Sequence, residues 1–302
     1  MSKNPPQISV VLPVFNGEMY LEEALESVLF QTFGDLELMV IDDGSDNAKA
    51  IKDIVQRYSK SDGRISLMRQ ENGGCASALN LGLAHAKGMY FSWLSHDDVM
   101  SIDRLKKCME IAQNKNEDVF VFSDYNIIDA DGNIAKTVEI HQKLGETWRV
   151  DYRMPLMLSL INGCTVFTRV SSLKKAGLFN TALPTTQDYA MWQKLMKEKN
   201  VFHLEISTIY SRIHKNQTSL LRRKEHTTEA DNWYLLAMKE ILADKNQKLK
   251  PLEWLCIFQE HIEKSEYNKS KAFIKQSLDQ IEVSSAETAS LYQELKLRIL
   301  YE

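Results

Sequence analysis

Carboxylates gathered at the ends of apolar runs are the first chemistry this sequence offers. Asp97 and Asp98 follow the aromatic run Met89–Leu94 through Ser95 and His96. Two adjacent carboxylates repel each other unless something cationic lies between them. A hard divalent ion, taking further oxygens from a substrate diphosphate, suits such a pair. The plainer reading is a solvated turn, or a cap for a helix expected from Ile102. Asp42-Asp43-Gly44-Ser45 is a second acidic end, after Leu36–Ile41. It has turn chemistry, and its side chains can also accept hydrogen bonds from a ribose or a base edge. Asn72-Gly73-Gly74 opens a helix expected from Cys75, where close backbone approach and free N–H groups suit a phosphate or simply a turn. Neither GxGxxG nor a Walker A motif occurs. Gln187-Asp188 precedes another helix, so Asp188 is either an N-cap or a general base at the mouth of a cleft. Arg212, His214 and Lys215 follow a further strand and can meet phosphate oxygens, complete a metal site or form an exposed basic loop.

The segments that must position these residues alternate between two periods. Strands are expected at Ile8–Pro13, Leu36–Ile41, Ile65–Met68, Met89–Leu94 and Val119–Phe122. Helices are expected at Tyr20–Phe30, Ala48–Tyr58, Cys75–Ala86 and Ile102–Gln113. Strand–helix alternation of this kind implies an α/β fold, a mainly parallel sheet with helices on both faces. Ligands of such sheets bind outside the carboxyl ends of the strands. Pro13–Asn16, Asp42–Ser45, Glu71–Gly74 and Ser95–Asp98 would therefore converge on one cleft. Further on, a strand is expected at Cys164–Thr168, helices at Met154–Leu160, Ser171–Ala176 and Asp188–Lys197, and a strand at Val201–Tyr210. After residue 224 only helical patterns remain, at Glu229–Ala243, Leu252–Lys264 and Lys269–Ile281, with a fourth at Ala286–Leu300.

Composition narrows the classes. The chain has 302 residues, enough for two domains or one domain with an appendage. Hydrophobic residues at 44% and charged residues at 26% are ordinary globular usage. A formal charge of −4 gives no footprint for nucleic acid. Cys75, Cys108, Cys164 and Cys256 have neither CxxC nor zinc spacing and read as reduced thiols of a cytoplasmic protein. No apolar run approaches the length of a spanning helix, which leaves peripheral contact with a membrane open.

Taken in order, the motifs resemble family 2 glycosyltransferases of the GT-A, Rossmann-like fold. The resemblance is carried by ISVVLPVFNGEMYLEEALESVLFQT from Ile8, LMVIDDGSD from Leu38, ENGGCASALNLGLAHAKGMYFSWLSHDD from Glu71, GCTVFTRVSSLKKAGLFN from Gly163, QDYAMW from Gln187 and RIHKNQTS from Arg212. It implies an inverting, metal-dependent transfer from a nucleotide-sugar donor, usually a UDP-sugar. The acceptor would be a hydroxyl of a glycan or lipid-linked molecule, in cell-surface polysaccharide or glycoconjugate synthesis. By the resemblance, the backbone near Pro13 and the ring of Phe15, with Asn16, flank the base. Asp42 or Asp43 meets the uracil or ribose. Asn72, Gly73, Gly74, Ser95, His96 and Arg212 line the donor site. Asp97 and Asp98 hold Mn²⁺ or Mg²⁺, His214 assists the metal or diphosphate, and Asp188 is the catalytic base. Ser95 stands where the fuller pattern Asp-x-Asp-Asp has its first Asp, which puts a carboxylate contact to the ribose in question and leaves a neutral hydrogen bond there. The expected organisation is a GT-A domain over residues 1–220 and a helical region over 221–302. That region holds 13 Lys+Arg and 14 Asp+Glu, so packing or homo-oligomerisation is favoured over binding to anionic lipid. Two other readings are a degenerate module that binds a nucleotide sugar or a partner without catalysis, and a nucleotidyltransferase. Against the latter, Pro13–Glu18 contains no Lys or Arg to grip a triphosphate.

Overall fold

The computed structural model describes residues 4–115, 118–144, 151–198, 200–246, 248–281, 289–293 and 295. They form two compact units, one drawn from 1–145 and 160–217, the other from 146–159 and 218–302. The division does not fall at one chain position, because residues 151–159 go with the later helices.

In the first unit β1 (Ile8–Val14) is buried at every position. It lies between β2 (Leu36–Asp42) and β4 (Tyr90–Trp93), parallel to both, with β3 (Ile65–Arg69) parallel on the far side of β2. A strand covered on both faces reads as an unbroken apolar run, and ISVVLPV is one. The crossovers are α1 (Glu18–Leu29), α2 (Ala48–Ser59) and α3 (Gly74–His85). α1 buries Leu21, Ala24, Leu25 and Val28, and Asn47 caps α2 by accepting from the Ala50 N–H at 3.2 Å. Parallel pairing puts the carboxyl ends of all four strands on one edge. The register sets Val14 beside Asp42.

The chain continues through β5 (Val99–Met100), α4 (Arg104–Lys115), β6 (Val119–Ile128), β7 (Ile134–Val138) and α5 (Ile140–Leu144). After α6 (Met154–Met157) come a 3₁₀ turn at Gly163–Thr165, β8 (Phe167–Arg169), α7 (Val170–Lys175), α8 (Gln187–Glu198) and β9 (Asn200–Arg212). The sheet order is β3-β2-β1-β4-β8-β6-β9-β5, with β7 paired to β6. β8 is antiparallel to both its neighbours, and β6 and β9 run parallel. β1, β2, β3, β4, β6 and β9 therefore share one direction, the mainly parallel α/β sheet expected.

Several bounds differ from the sequence expectation. The strand expected at Cys164–Thr168 begins as the 3₁₀ turn, because the Asn162 side chain accepts from the Cys164 N–H at 2.9 Å and curls the chain before β8. β6 runs to Ile128, past Phe122, through buried Ser123, Asp124 and Asn126. Long pairing with β9 satisfies that polar stretch, which no local pattern announces. β7 escaped notice because four of its five residues are exposed and supply no apolar rhythm.

The second unit contains α6, α9 (Thr218–Leu221), α10 (Arg223–Ala243), α11 (Pro251–Ile262) and α12 (Asn268–Leu278). Residues 289–293 are helical, and the rest of the expected fourth helix, 286–300, lies outside the described residues apart from 295. Arg153 is the anchor of the 151–159 segment. It is paired with Asp151 at 2.5 Å and Asp244 at 2.9 Å, and lies over the Trp254 ring. Asp231 of α10 caps α12, accepting from the Lys269 and Ser270 N–H groups at 2.9 Å each. Tyr234 O–H lies 2.9 Å from His261 Nε2, and both meet the Ser159 hydroxyl.

Burial pushes the pKa of His261 down to about 4. In the unfolded chain it titrates near 6.5, so the folded unit holds the ring neutral where the unfolded chain protonates it. The stability this contributes is fully present above pH 6.5 and is lost as pH falls toward 4. Thermal melts of the helical signal at pH 7 and pH 5 should show a smaller acid destabilisation in His261→Gln than in the wild type. Equal acid sensitivity in the two would remove His261 from that role.

Candidate active site

Four loops leave the carboxyl edge of the parallel strands, and their side chains lock to one another. Asn16, at the end of β1, has φ 50° and exchanges two hydrogen bonds with Asp46, at 2.9 and 2.8 Å. Its N–H donates to the Ser45 hydroxyl at 3.0 Å. Phe15, beside it, is 40% exposed, leaving its ring accessible at this edge. Asp42 is buried and committed: it is ion-paired with Arg69 and accepts from the Ser45 N–H at 2.9 Å. Asp43 accepts through Oδ1 from the Gln70 amide at 2.7 Å and the Gly73 N–H at 2.9 Å. The Gly74 N–H donates to Asn72 Oδ1 at 3.2 Å. The N–H groups of Gly73 and Gly74, expected to meet a phosphate, thus hold the loop's own shape. Gly44 has φ 81°, and a Cβ there would lie 2.6 Å from the Asn72 nitrogen, so only glycine lets these two loops close together.

The fourth loop divides its residues. The His96 ring hydrogen-bonds the Pro13 carbonyl, and burial lowers its pKa below the usual imidazole range. It fills the space above Gly17, where a Cβ would sit 2.0 Å from the ring. Ser95 Oγ lies 3.4 Å from Cys164 Sγ. Asp98 is buried and turned inward, accepting from the Arg212 N–H at 2.9 Å and bonded to Ser211 and Cys164. Burial, then the neighbouring Asp97 charge, pushes its pKa well above the usual carboxylate range. Asp97 Oδ2 lies 3.1 Å from His214 Nε2. The expected carboxylate pair therefore becomes a carboxylate–imidazole pair.

Arg212 is almost wholly buried, and its guanidinium faces protein on every side. Nε donates to the Asp97 carbonyl at 3.0 Å, Nη1 to the carbonyls of Asp129 and Ala130, and Nη2 to Glu23 at 2.6 Å. Its face lies 4.6 Å from the Tyr20 ring centroid, and Tyr20 in turn packs on His214 at 5.1 Å. Arg212 ties loops together and is not presented to a ligand.

Asp188 lies in the first turn of α8, inside the helix, and so is not its N-cap. Its Oδ2 would be 2.9 Å from a Cβ at Gly163, which also faces the Trp93 ring at 2.6 Å. Cys75, second residue of α3, shows what surrounds the cleft. Burial raises its thiol pKa most, and the charges of Asp188, Asp43 and Asp97 raise it further. Three carboxylates, two from loops and one from the first turn of α8, thus act on one thiol. Sequence reading missed Tyr20, Cys75, Trp93 and Gly163. Only Gly163 left a signal, a glycine ahead of an apolar run.

Among the described residues no three His, Cys, Asp or Glu side chains group as a complete metal cage. Asp97 and His214 nevertheless fit a divalent ion that keeps most of its coordination for a substrate diphosphate and water, since such sites use one or two protein ligands. No helix among the described residues is long and apolar enough to cross a membrane.

Comparison with known proteins adds three results. Residues 9–176 match the model of "Glycosyl transferase family 2". An uncharacterized glycosyltransferase of Rickettsia prowazekii is 34% identical over 272 residues, 88% of this chain and 82% of the relative. One from Rickettsia felis is 32% identical over 83% of this chain, but the match spans only 41% of that longer protein. Among solved structures, S. aureus TarS 1–349 in complex with UDP-GlcNAc superposes with a TM-score of 0.65 at 18% identity, over 96% of this chain and 79% of that one. The mannosyltransferase PcManGT of Pyrobaculum calidifontis, in complex with GDP-Man and Mn²⁺, gives 0.61 at 16%, over 99% and 82%. At these identities the likeness is one of fold, the GT-A arrangement.

The tightest packing at this edge is Gly17 against His96. Gly17→Ala should displace the ring and destabilise the first unit by about 1–3 kcal/mol, the usual cost of overpacking. Urea unfolding should show the loss, and an unchanged midpoint would mean that the ring has room to yield.

Proposed function

The chain belongs to glycosyl transferase family 2, and we propose that it moves a hexosyl group from a nucleotide sugar, a UDP-sugar in our reading, to an acceptor hydroxyl with inversion at the anomeric carbon. The acceptor is a glycan or a lipid-linked molecule. The observation that carries this reading is that the carboxyl ends of the parallel strands β2 and β4 set Asp43 and the Asp97–His214 pair on one edge, with the Asp188 carboxylate against Gly163, which also faces the Trp93 ring of β4. All of these residues belong to the first unit. The ligands of the TarS and PcManGT structures support a nucleotide-sugar donor on this fold.

In the reaction, Asp188 takes the proton of the acceptor hydroxyl. The acceptor oxygen bonds to the anomeric carbon as that carbon's bond to the diphosphate oxygen breaks on the opposite face. Gly163 leaves room for the Asp188 carboxylate, and Trp93 walls it on one side. Asp43 meets the ribose or base, beside the exposed ring of Phe15. Asp97 and His214 would hold Mn²⁺ or Mg²⁺, which when bound neutralises charge on the departing diphosphate. Asp98, bonded inward to the Arg212 N–H, orients this loop.

Nucleoside diphosphate release from UDP-Glc, UDP-GlcNAc, UDP-Gal and GDP-Man, with and without Mn²⁺, identifies the donor. With that donor, Asp188→Asn should lower turnover by about 10²–10⁴-fold, the usual worth of a positioned base, and leave donor affinity within about twofold. Near-wild-type turnover would remove Asp188 as base. Asp97→Ala should abolish the gain in UDP affinity that Mn²⁺ brings. Equal UDP affinity with and without Mn²⁺ in the wild type would overturn the metal assignment.

A further inference from the structure

We propose that Asn80 is a positioning residue for Asp188, acting through Phe179. The inference rests on Asp188 being the base. Asn80 lies in the middle of α3, and its side chain makes two hydrogen bonds to one distant residue. Nδ2 donates to the Phe179 carbonyl at 2.8 Å, and Oδ1 accepts from the Phe179 N–H at 2.9 Å. A side-chain amide that satisfies both backbone groups of a loop residue fixes its position and orientation together, as a paired strand would.

The loop it holds is strained. Gly177 and Leu178 follow α7 with φ 96° and 65°. The glycine tolerates this, but for a bulky leucine the left-handed region is strained and persists only where the surroundings enforce it. The double turn throws the next residue, Phe179, inward, where it is 2% exposed. The Gly177 and Leu178 N–H groups close the turn on the Lys174 and Leu173 carbonyls at 3.3 and 3.1 Å, while burial of the Phe179 ring and the two bonds from Asn80 hold the residue that follows it.

Phe179 stands between the two walls of the Asp188 site. Its ring meets Trp192 edge-on, with centroids 5.7 Å apart and planes at 85°. Trp192 is four residues beyond Asp188, hence on the same face of α8 one turn later, and it is wholly buried. Phe179 also meets Trp93 edge-on at 6.4 Å. Trp93 is the ring against Gly163, whose Cα borders the Asp188 carboxylate. One wedge thus sets both the helix that carries the base and the wall that confines it. Two bonds from α3, whose second residue Cys75 sits among the three cleft carboxylates, hold that wedge. α3 therefore links the donor side of the cleft to the base.

A base displaced by about 1 Å costs on the order of 10²-fold in rate. Asn80→Ala should therefore lower kcat tens- to a hundred-fold with the active nucleotide sugar of the panel, while KM for that donor stays within about twofold. Asn80→Asp keeps the acceptor for the Phe179 N–H but sets a carboxylate oxygen against the Phe179 carbonyl, so its kcat should fall at least as far as that of Asn80→Ala. A merely structural loss would lower the folded fraction and leave kcat per folded enzyme unchanged, which active-site titration with UDP reads. If Asn80→Ala fails to fold, Phe179→Leu, which keeps the bonds and removes the edge contacts, should show the same kcat loss at constant KM. Wild-type kcat in the Asn80 variants beside a dead Asp188→Asn would overturn the positioning role alone. Wild-type kcat in Asp188→Asn would overturn the base and this inference with it.

Discussion

Everything at the cleft hangs on one buried cation. The Arg212 guanidinium sits at the end of β9, 2% exposed, and a charge at that depth is tolerable only if its donors are filled. It fills them with the Asp97 carbonyl, the Asp129 and Ala130 carbonyls and the Glu23 carboxylate. Those partners come from the acidic loop, the β6–β7 turn and α1. The same residue's N–H binds Asp98, and two residues later the chain presents His214 to Asp97. The geometry of Asp97 with His214 is therefore a by-product of satisfying Arg212. Removal of the Arg212 side chain would free the buried Asp97 backbone, the β6–β7 turn and α1 from one another at a single stroke.

A second buried cation is met by neutral acceptors. Arg104, at the start of α4, is wholly buried and donates to Thr208 Oγ1 at 2.7 Å, Ser92 Oγ at 3.3 Å and the Val166 carbonyl at 3.2 Å. These neutral acceptors sit on β9, on β4 and just before β8, and Thr208 is bonded onward to Ser123 of β6. The antiparallel β8, inserted into a parallel sheet, is thus cross-braced from behind. Both arginines spend their charge on architecture.

Much of this was legible in the sequence because the parallel half of the fold is written locally. ISVVLPV, LELMVI and the helical spacings between them give parallel strands joined by helical crossovers, which puts the acidic clusters on one edge. The residue types at 42–45, 71–74 and 95–98 mark loops that the fold brings to one edge, and 187–188 opens α8. The sequence could not show how each polar group is used, because that depends on partners far along the chain. Asp98 reads like Asp97 until Arg212 and Ser211, more than a hundred residues away, claim it. Arg212 reads as a phosphate ligand until Glu23 and the carbonyls of 129 and 130 surround it. Asp42 reads like Asp43 until Arg69 takes it. Strands β5 and β7 are short or exposed and carry no period, and the Asn80–Phe179 clamp spans 99 positions that no local pattern connects.

The second unit draws on residues 151–159 as well as on those beyond 218, so the polypeptide passes between the units three times. Arg153, held by Asp151 and Asp244, secures the middle excursion. No single cut in the chain can therefore release either unit intact. A shortened chain that stops after residue 217 keeps residues 151–159 but strips Arg153 of Asp244 and Trp254, and Ser159 of Tyr234 and His261. In evolutionary terms the helical region is not a module that can be appended or shed by moving one boundary. It can be exchanged only together with an internal segment of the domain that precedes it.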